Sequence, residues 1–425
     1  MITKLRNRLV ALSCFLLFVS LGMFFFLTHS VKKPFAIILF IGDGMSPSLL
    51  TATRLYQGGA DHRLALEEFP QAALTRTYAY DFAVPDAASA ATALATGERV
   101  NKGSLAINPF GEKLTSLLED ASSRNRAVGI ISNGSLTGET VAAFYAKSLQ
   151  AQNNDENARQ LLEHAPIDLM LGGGHQYFLD HFEKKQDEKI SSPPTEHAPL
   201  LEKLTAKGIS VIHSLQELDT LPNWKPSPVL GFFAEGSFPL QIETVDHPSL
   251  PSLSELVKQS IQRLQHSTHG YFLLIDDALL MEAASNNRAE ELFHEISEFD
   301  RAIATARQYA GPNSLIIVTG TQNIGGLQMN GYPFRHDKGV AVLGLNQAGV
   351  PSITWATGPG NHVVSSTPEK IKEKTSILQE PSSFYTPVAL GIAEDTITMA
   401  LGSGSEKIHG FLDLTKLHDV IKENL

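Results

Sequence analysis

The chain has 425 residues, of which 43% are hydrophobic, 8% aromatic and 19% charged, proportions that exclude wholesale disorder and fit a globular body. A formal net charge of −11 argues against a broad basic surface, so no nucleic-acid partner is expected. The single cysteine, Cys14, lies in an N-terminal apolar stretch, which excludes disulfides, thiolate metal sites and cysteine nucleophiles from the body and leaves His, Asp and Glu to hold any metal.

Lys4, Arg6 and Arg8 precede nineteen uncharged residues, Leu9 to Leu27, and Lys32–Lys33 follow them. A run of that length can span a hydrocarbon core, and no small-x-small cleavage site closes it. Residues 1–33 therefore read as an uncleaved signal anchor, with the apolar run 9–27 as the membrane contact. The body is then expected outside the cytoplasm, periplasmic or extracellular, or secreted if the segment is cleaved. Leu12–Ser13–Cys14 is lipobox-like, but too little apolar sequence precedes it to favour lipidation.

Residues 34–425 form the body. Ala36–Ile41 is a continuous apolar run ending at Gly42–Asp43–Gly44, the pattern of a buried parallel strand followed by a loop. Val128–Ser132, Leu169–Leu171, Val229–Phe233, Tyr271–Asp276, Leu315–Thr319 and Ser352–Ala356 repeat it. Helical periods fall between them at Leu114–Arg124, Leu253–Leu264 and Ala289–Ala310. Alternating strands and helices predict an α/β fold with a central, mostly parallel sheet covered by helices on both faces. In such sheets ligands gather at the carboxyl ends of the strands, which directs attention to Asp43, Ser132–Thr140, Asp276 and Thr319–Asn323. Gln186–His197 is polar and Pro-bearing, and reads as a surface insertion.

Taken together, Ala36–Met45, Asp86–Gly97, Asn101–Gly103, Val128–Ala146, Leu169–Phe178, Pro251–Asp276 and Leu315–Thr319 resemble the alkaline phosphatase family, in the family's order and over nearly the whole body. The resemblance implies one alkaline-phosphatase-like α/β domain with a sheet of about ten strands, a serine nucleophile, two zinc ions and a magnesium ion. It alone carries the expectation of a homodimer. Two cations would activate the serine and stabilise the leaving oxygen, and an arginine would clamp the phosphoryl oxygens.

Carried over position by position, that machinery is mostly missing. Asp43 keeps the acid after the first strand. The nucleophile position in Asp86-Ala87-Ala88-Ser89 is Ala87, and Ser89, at ~100° of helix rotation per residue, points well away from it and is expected to pack the helix. The magnesium pair falls on Gly138 and Thr140, so only the hydroxyl survives, with Glu139 between them expected as a solvated loop acid. The phosphate-clamping arginine falls on Ala151, and nearby Lys147 is expected at the surface. Asp276 keeps an acid at the family's magnesium Glu position, one methylene shorter, and is followed by Asp277. The zinc-ligand positions read Met281, Ser285, Thr321, Gln322 and Tyr385. His62, His164, His175, His294 and His336 match no ligand position and are expected as surface or capping residues.

Asp43, Thr140 and Asp276 remain as oxygen donors that suit magnesium or calcium weakly and zinc poorly. The expected function is that of a membrane-anchored, catalytically inactive pseudophosphatase that binds an unidentified ligand or protein. The alternative is a metal-dependent phosphomonoester hydrolase whose rearranged site uses Asp43, Glu139, Asp276 and Asp277. A fold does not carry an activity without its site.

Overall fold

The computed structural model describes residues 8, 11–21, 35–164, 166–178, 204, 208–222, 227–330, 343, 351–360 and 380–425. These fall into two compact units, Met1–Lys33 and Pro34–Leu425. In the first, residues 11–21 are helical and exposed, and the rest of the apolar run lies outside the described residues. No helix among the described residues is long and apolar enough to cross a membrane. The insertion read at Gln186–His197 also lies outside the described residues, as does His336.

The second unit is built on ten strands: β1 (Ala36–Gly42), β2 (Gln71–Arg76), β3 (Ala127–Ser135), β4 (Leu169–Gly173), β5 (Ser210–Ile212), β6 (Val229–Phe232), β7 (Tyr271–Asp277), β8 (Ser314–Thr319), β9 (Thr396–Gly402) and β10 (Gly410–Asp413). Their order is β10-β2-β9-β8-β1-β7-β3-β4-β6-β5. Only β9 runs against its neighbours, β2 and β8. Strands β1, β7 and β8 are buried along their whole length, as their unbroken apolar runs require of strands covered on both faces. Ser352–Ala356 departs from expectation: Ile353–Gly358 is a strand, but in a separate three-stranded ribbon with Leu327–Met329 and Ser382–Tyr385.

Seven helices matter most for the site: α1 (Pro47–Gly58), α2 (Ala87–Thr96), α3 (Glu139–Ala142), α4 (Leu253–Leu264), α5 (Leu279–Ser285), α6 (Ala289–Tyr309) and α7 (Leu414–Asn424). Side chains alternate across a strand, so β1 feeds two cores. Ile38 and Phe40 pack with α1, α4, α5 and α6, whereas Ile37, Leu39 and Ile41 pack with α2, α3 and α7. Each fully buried Ile or Leu contributes roughly 1.5–3 kcal/mol, so two full layers hold the strand ends rigidly.

The register sets the active end of the sheet. Ile41 lies opposite Asp276 and Gly42 opposite Asp277, so the turn after β1 opens beside the end of β7. Gly44 takes φ +94°, which favours glycine and lets the chain leave the strand sharply just after Asp43.

Candidate functional site

At this end of the sheet a cavity of about 590 Å³ opens beside the first turn of α2. Asp43, Ala87, Gly138, Thr140, Asp276, Met281, Ser285 and Gln322 line it, so the structure brings together most of the positions singled out in the sequence. Three do not join them: Ala151, Thr321 and Tyr385. Ala151 is buried and donates its backbone N–H to Gly103 at 2.9 Å, and Tyr385 is 62% exposed on the outer ribbon.

Asp86 caps α2, accepting from the Ser89 N–H at 2.8 Å and the Ser89 hydroxyl at 2.6 Å, while Gly103 N–H donates to its other oxygen at 2.7 Å. This capping box turns Ser89 back onto Asp86 and leaves Ala87 as the side chain facing the cavity. A side chain at Gly138 would be tight, since a Cβ there would lie 3.0 Å from the Ser135 carbonyl oxygen.

Asp43 is 1% exposed and accepts hydrogen bonds from the hydroxyls of Thr140 and Thr321, one on each oxygen. Burial raises its pKa and those two hydroxyls oppose the rise. Asp276 accepts from the Ser132 hydroxyl at 2.7 Å, and its second oxygen is buried without a partner. Burial, then the neighbouring Asp43 carboxylate, push its pKa well above the usual carboxylate range.

The zinc positions have closed on one another. The Gln322 amide meets the Met281 sulfur at 3.8 Å, the Ser285 hydroxyl donates to the Met281 carbonyl at 2.7 Å, and Thr321 is spent on Asp43. Thioether, amide and hydroxyl groups already engaged with protein partners do not fit a zinc pair, which wants His and carboxylate ligands. A hard cation at Asp43 would share its oxygens with the hydroxyls of Thr140 and Thr321, one on each. Among the described residues no three His, Cys, Asp or Glu side chains gather to hold a metal.

Glu139, weighed in the sequence as a loop acid or as a donor of a rearranged site, also lines the cavity. Glu139 is half-buried at the head of α3 and not a solvated loop acid. Burial raises its pKa; the Gln152 amide and the Ala88 N–H hold it down, while Asp86 and Asp43 push it up. Its carboxyl thus covers the N–H end of α2, the place where a helix would otherwise receive an anion. Ser135, Gln152, Asn154, Ser237, Ala278 and Glu282 complete the wall; Ser135 falls within Ser132–Thr140 and Ala278 and Glu282 between Asp276 and Ser285, whereas no sequence signal points to Ser237. Lys147, expected at the surface, is only 14% exposed and pairs with Glu119 at 2.8 Å, outside the cavity. Of the histidines, His62 contacts Gln57, His175 faces Glu235 and His213, and His294 lies against Tyr56; none lines the cavity.

The relatives agree with this frame. The chain is 28% identical to the human tissue-nonspecific isozyme of alkaline phosphatase over 382 residues, spanning 79% of this chain and 72% of that one. It is 26% identical to the chicken tissue-nonspecific isozyme over 427 residues, 88% of this chain and 81% of the relative. The solved alkaline phosphatase of the Antarctic bacterium TAB5 superposes with a TM-score of 0.71 at 21% identity, covering 92% of this chain and 98% of that structure. The sequence model of the family, described as alkaline phosphatase, matches residues 35–425, nearly the whole body whose strand ends build the cavity. The chain belongs to the alkaline phosphatase family.

Proposed function

We propose that this family member is a pseudophosphatase: it keeps the pocket of the fold as a binding site and does not hydrolyse phosphomonoesters. The observation that carries the reading is the cavity wall itself. Ala87 stands at the nucleophile position, and no Lys, Arg, His or Cys joins it among the described lining residues. A phosphoryl group entering there would meet Asp43, Asp86, Glu139 and Asp276 with no cation to offset its charge, and a methyl group where attack must begin. Glu139 over the start of α2 supports the same reading, since it fills the anion position from within the chain.

The test is hydrolysis of an aryl phosphate by the purified full chain at alkaline pH, with zinc and magnesium supplied. A folded chain with no turnover above the protein-free blank is the expected result. Metal-dependent turnover abolished by Asp43→Ala would overturn the proposal and establish a rearranged site.

We further propose that the chain is held at a membrane through residues 9–27 with its body on the extracytoplasmic side. The support is the charge-free run flanked by Lys4, Arg6 and Arg8 before it and Lys32–Lys33 after it. Release of the chain from membranes by alkaline carbonate would refute the anchor.

A further inference from the structure

The cavity has a sign as well as a shape. Five carboxyl side chains line it, those of Asp43, Asp86, Glu139, Asp276 and Glu282, and no basic residue does so among the described residues. Asp86 and Asp43 have a protein donor on each oxygen, so both are already hydrogen-bonded within the chain. Asp276 differs. It is 2% exposed, and its Oδ1 has no hydrogen-bond partner although the side chain lines the cavity. A buried, unpaired carboxylate oxygen costs free energy until a donor reaches it.

We propose that this cavity binds a small aliphatic amine, its ammonium group donating to Asp276 Oδ1 and to the Glu139 carboxylate and its methylene chain lying along Ala87, Ala278 and Met281. This rests on the reading of the pocket as a binding site without hydrolysis, and names what it binds. The volume of about 590 Å³ lies in the range of small-molecule sites. The apolar side chains give a hydrocarbon chain somewhere to rest, and the amides of Gln152, Asn154 and Gln322 leave the rim polar. A divalent metal ion suits the wall less, because no three acids or histidines among the described residues converge as ligands. Anions are opposed by every charge present.

The experiment is calorimetric titration of the full chain, in detergent, with putrescine and spermidine. Butane-1,4-diol serves as the uncharged control, and magnesium and inorganic phosphate as competing ions. Saturable amine binding is expected, weakened by added salt, absent for the diol, and reduced about tenfold or more in Asp276→Asn and in Glu139→Gln. Glu139 is only half-buried, so its variant provides the reading should Asp276→Asn not fold. Absence of saturable amine binding overturns the proposal, and so does binding undiminished in both variants. Magnesium that binds and displaces the amine, with its own binding lost in Asp276→Asn, also overturns it in favour of an inorganic cation site. The two claims separate cleanly. An inactive chain that ignores amines refutes the amine site alone, whereas aryl phosphate turnover refutes the inactive pocket whatever the amines do.

Discussion

Asp276 and Asp277 are neighbours on β7 with opposite surroundings. Strand alternation sends Asp276 toward α2 and α3, where the side chain lines the cavity and one oxygen is buried without a partner. Asp277 turns to the other face, beneath α6, where it accepts from Asn133 at 2.7 Å and meets the charges of Glu298 and Glu295. Burial drives both acids upward in pKa, but only one can be relieved by a ligand. The other sits near Glu295 and Glu298, where burial favours the protonated acid. The pair shows that an acidic wall and an acidic core are different things, even one residue apart.

The largest effect should come from breaking the support of the enclosed acid. Asn133 donates to Asp277 and accepts from the Ala278 N–H at 2.9 Å, so Asn133→Ala strands two buried groups at once. A loss of roughly 2–4 kcal/mol in urea unfolding is expected. A loss below about 0.5 kcal/mol would mean that Asp277 is not held as described.

The next effect sharpens the comparison through pH. Burial, chiefly, with the Asp277 charge second, raises Glu295 from its ordinary 4.5 to about 9, and burial raises Asp277 from 3.8 to about 7. The folded chain therefore retains protons that the unfolded chain releases. Stability is greatest below the ordinary values and declines as pH rises through about 7 and then about 9. Glu295→Gln can still accept from the Gln241 N–H, which now donates to Glu295 at 2.6 Å. It should flatten the decline at its alkaline end, by on the order of 2 kcal/mol. Melting temperatures from pH 6 to about pH 9.5 read this directly, and parallel curves for variant and parent would show that Glu295 does not hold its proton.

Much of this frame is legible in the sequence because central parallel strands announce themselves. AIILFI, YFLLID and LIIVT are apolar without interruption and end at the residues that build the site. The sheet margin is harder to read. In β2, Gln71 to Arg76, and β9, Thr396 to Gly402, buried and partly exposed residues are mixed, and β5 is three residues long. At the site, motif positions locate Asp43, Ala87, Thr140 and Asp276, because each follows a strand end or opens a helix. They do not reveal that Met281 and Gln322 touch, or that Glu139 folds over the start of α2. Those facts depend on packing between segments about forty to fifty residues apart in sequence.

A smaller, opposite effect is expected on the cavity side of the pair. Asp276→Asn removes a buried acid that faces Asp43, while its amide oxygen can still accept from Ser132. It should stabilise the ligand-free chain by about 1 kcal/mol at pH 8. Destabilisation by the same amount would mean that the charge is compensated by a partner other than Ser132.

The smallest effect is the most informative about chemistry. Ala87→Ser returns a hydroxyl to the nucleophile position at the first turn of α2, where the residue is 4% exposed and lines the cavity. Stability should change by no more than about 0.5 kcal/mol, because serine is tolerated in a first helical turn. Turnover of an aryl phosphate should stay at the blank. A serine attacks phosphorus only when something lowers the cost of its deprotonation and something else draws in the phosphate. Here the surrounding charges are carboxylates, which oppose both, and Met281 and Gln322 occupy each other where cation ligands would be needed. Activity recovered by this one substitution would mean that the field in the cavity is not the obstacle. The loss of function would then reside in Ala87 alone.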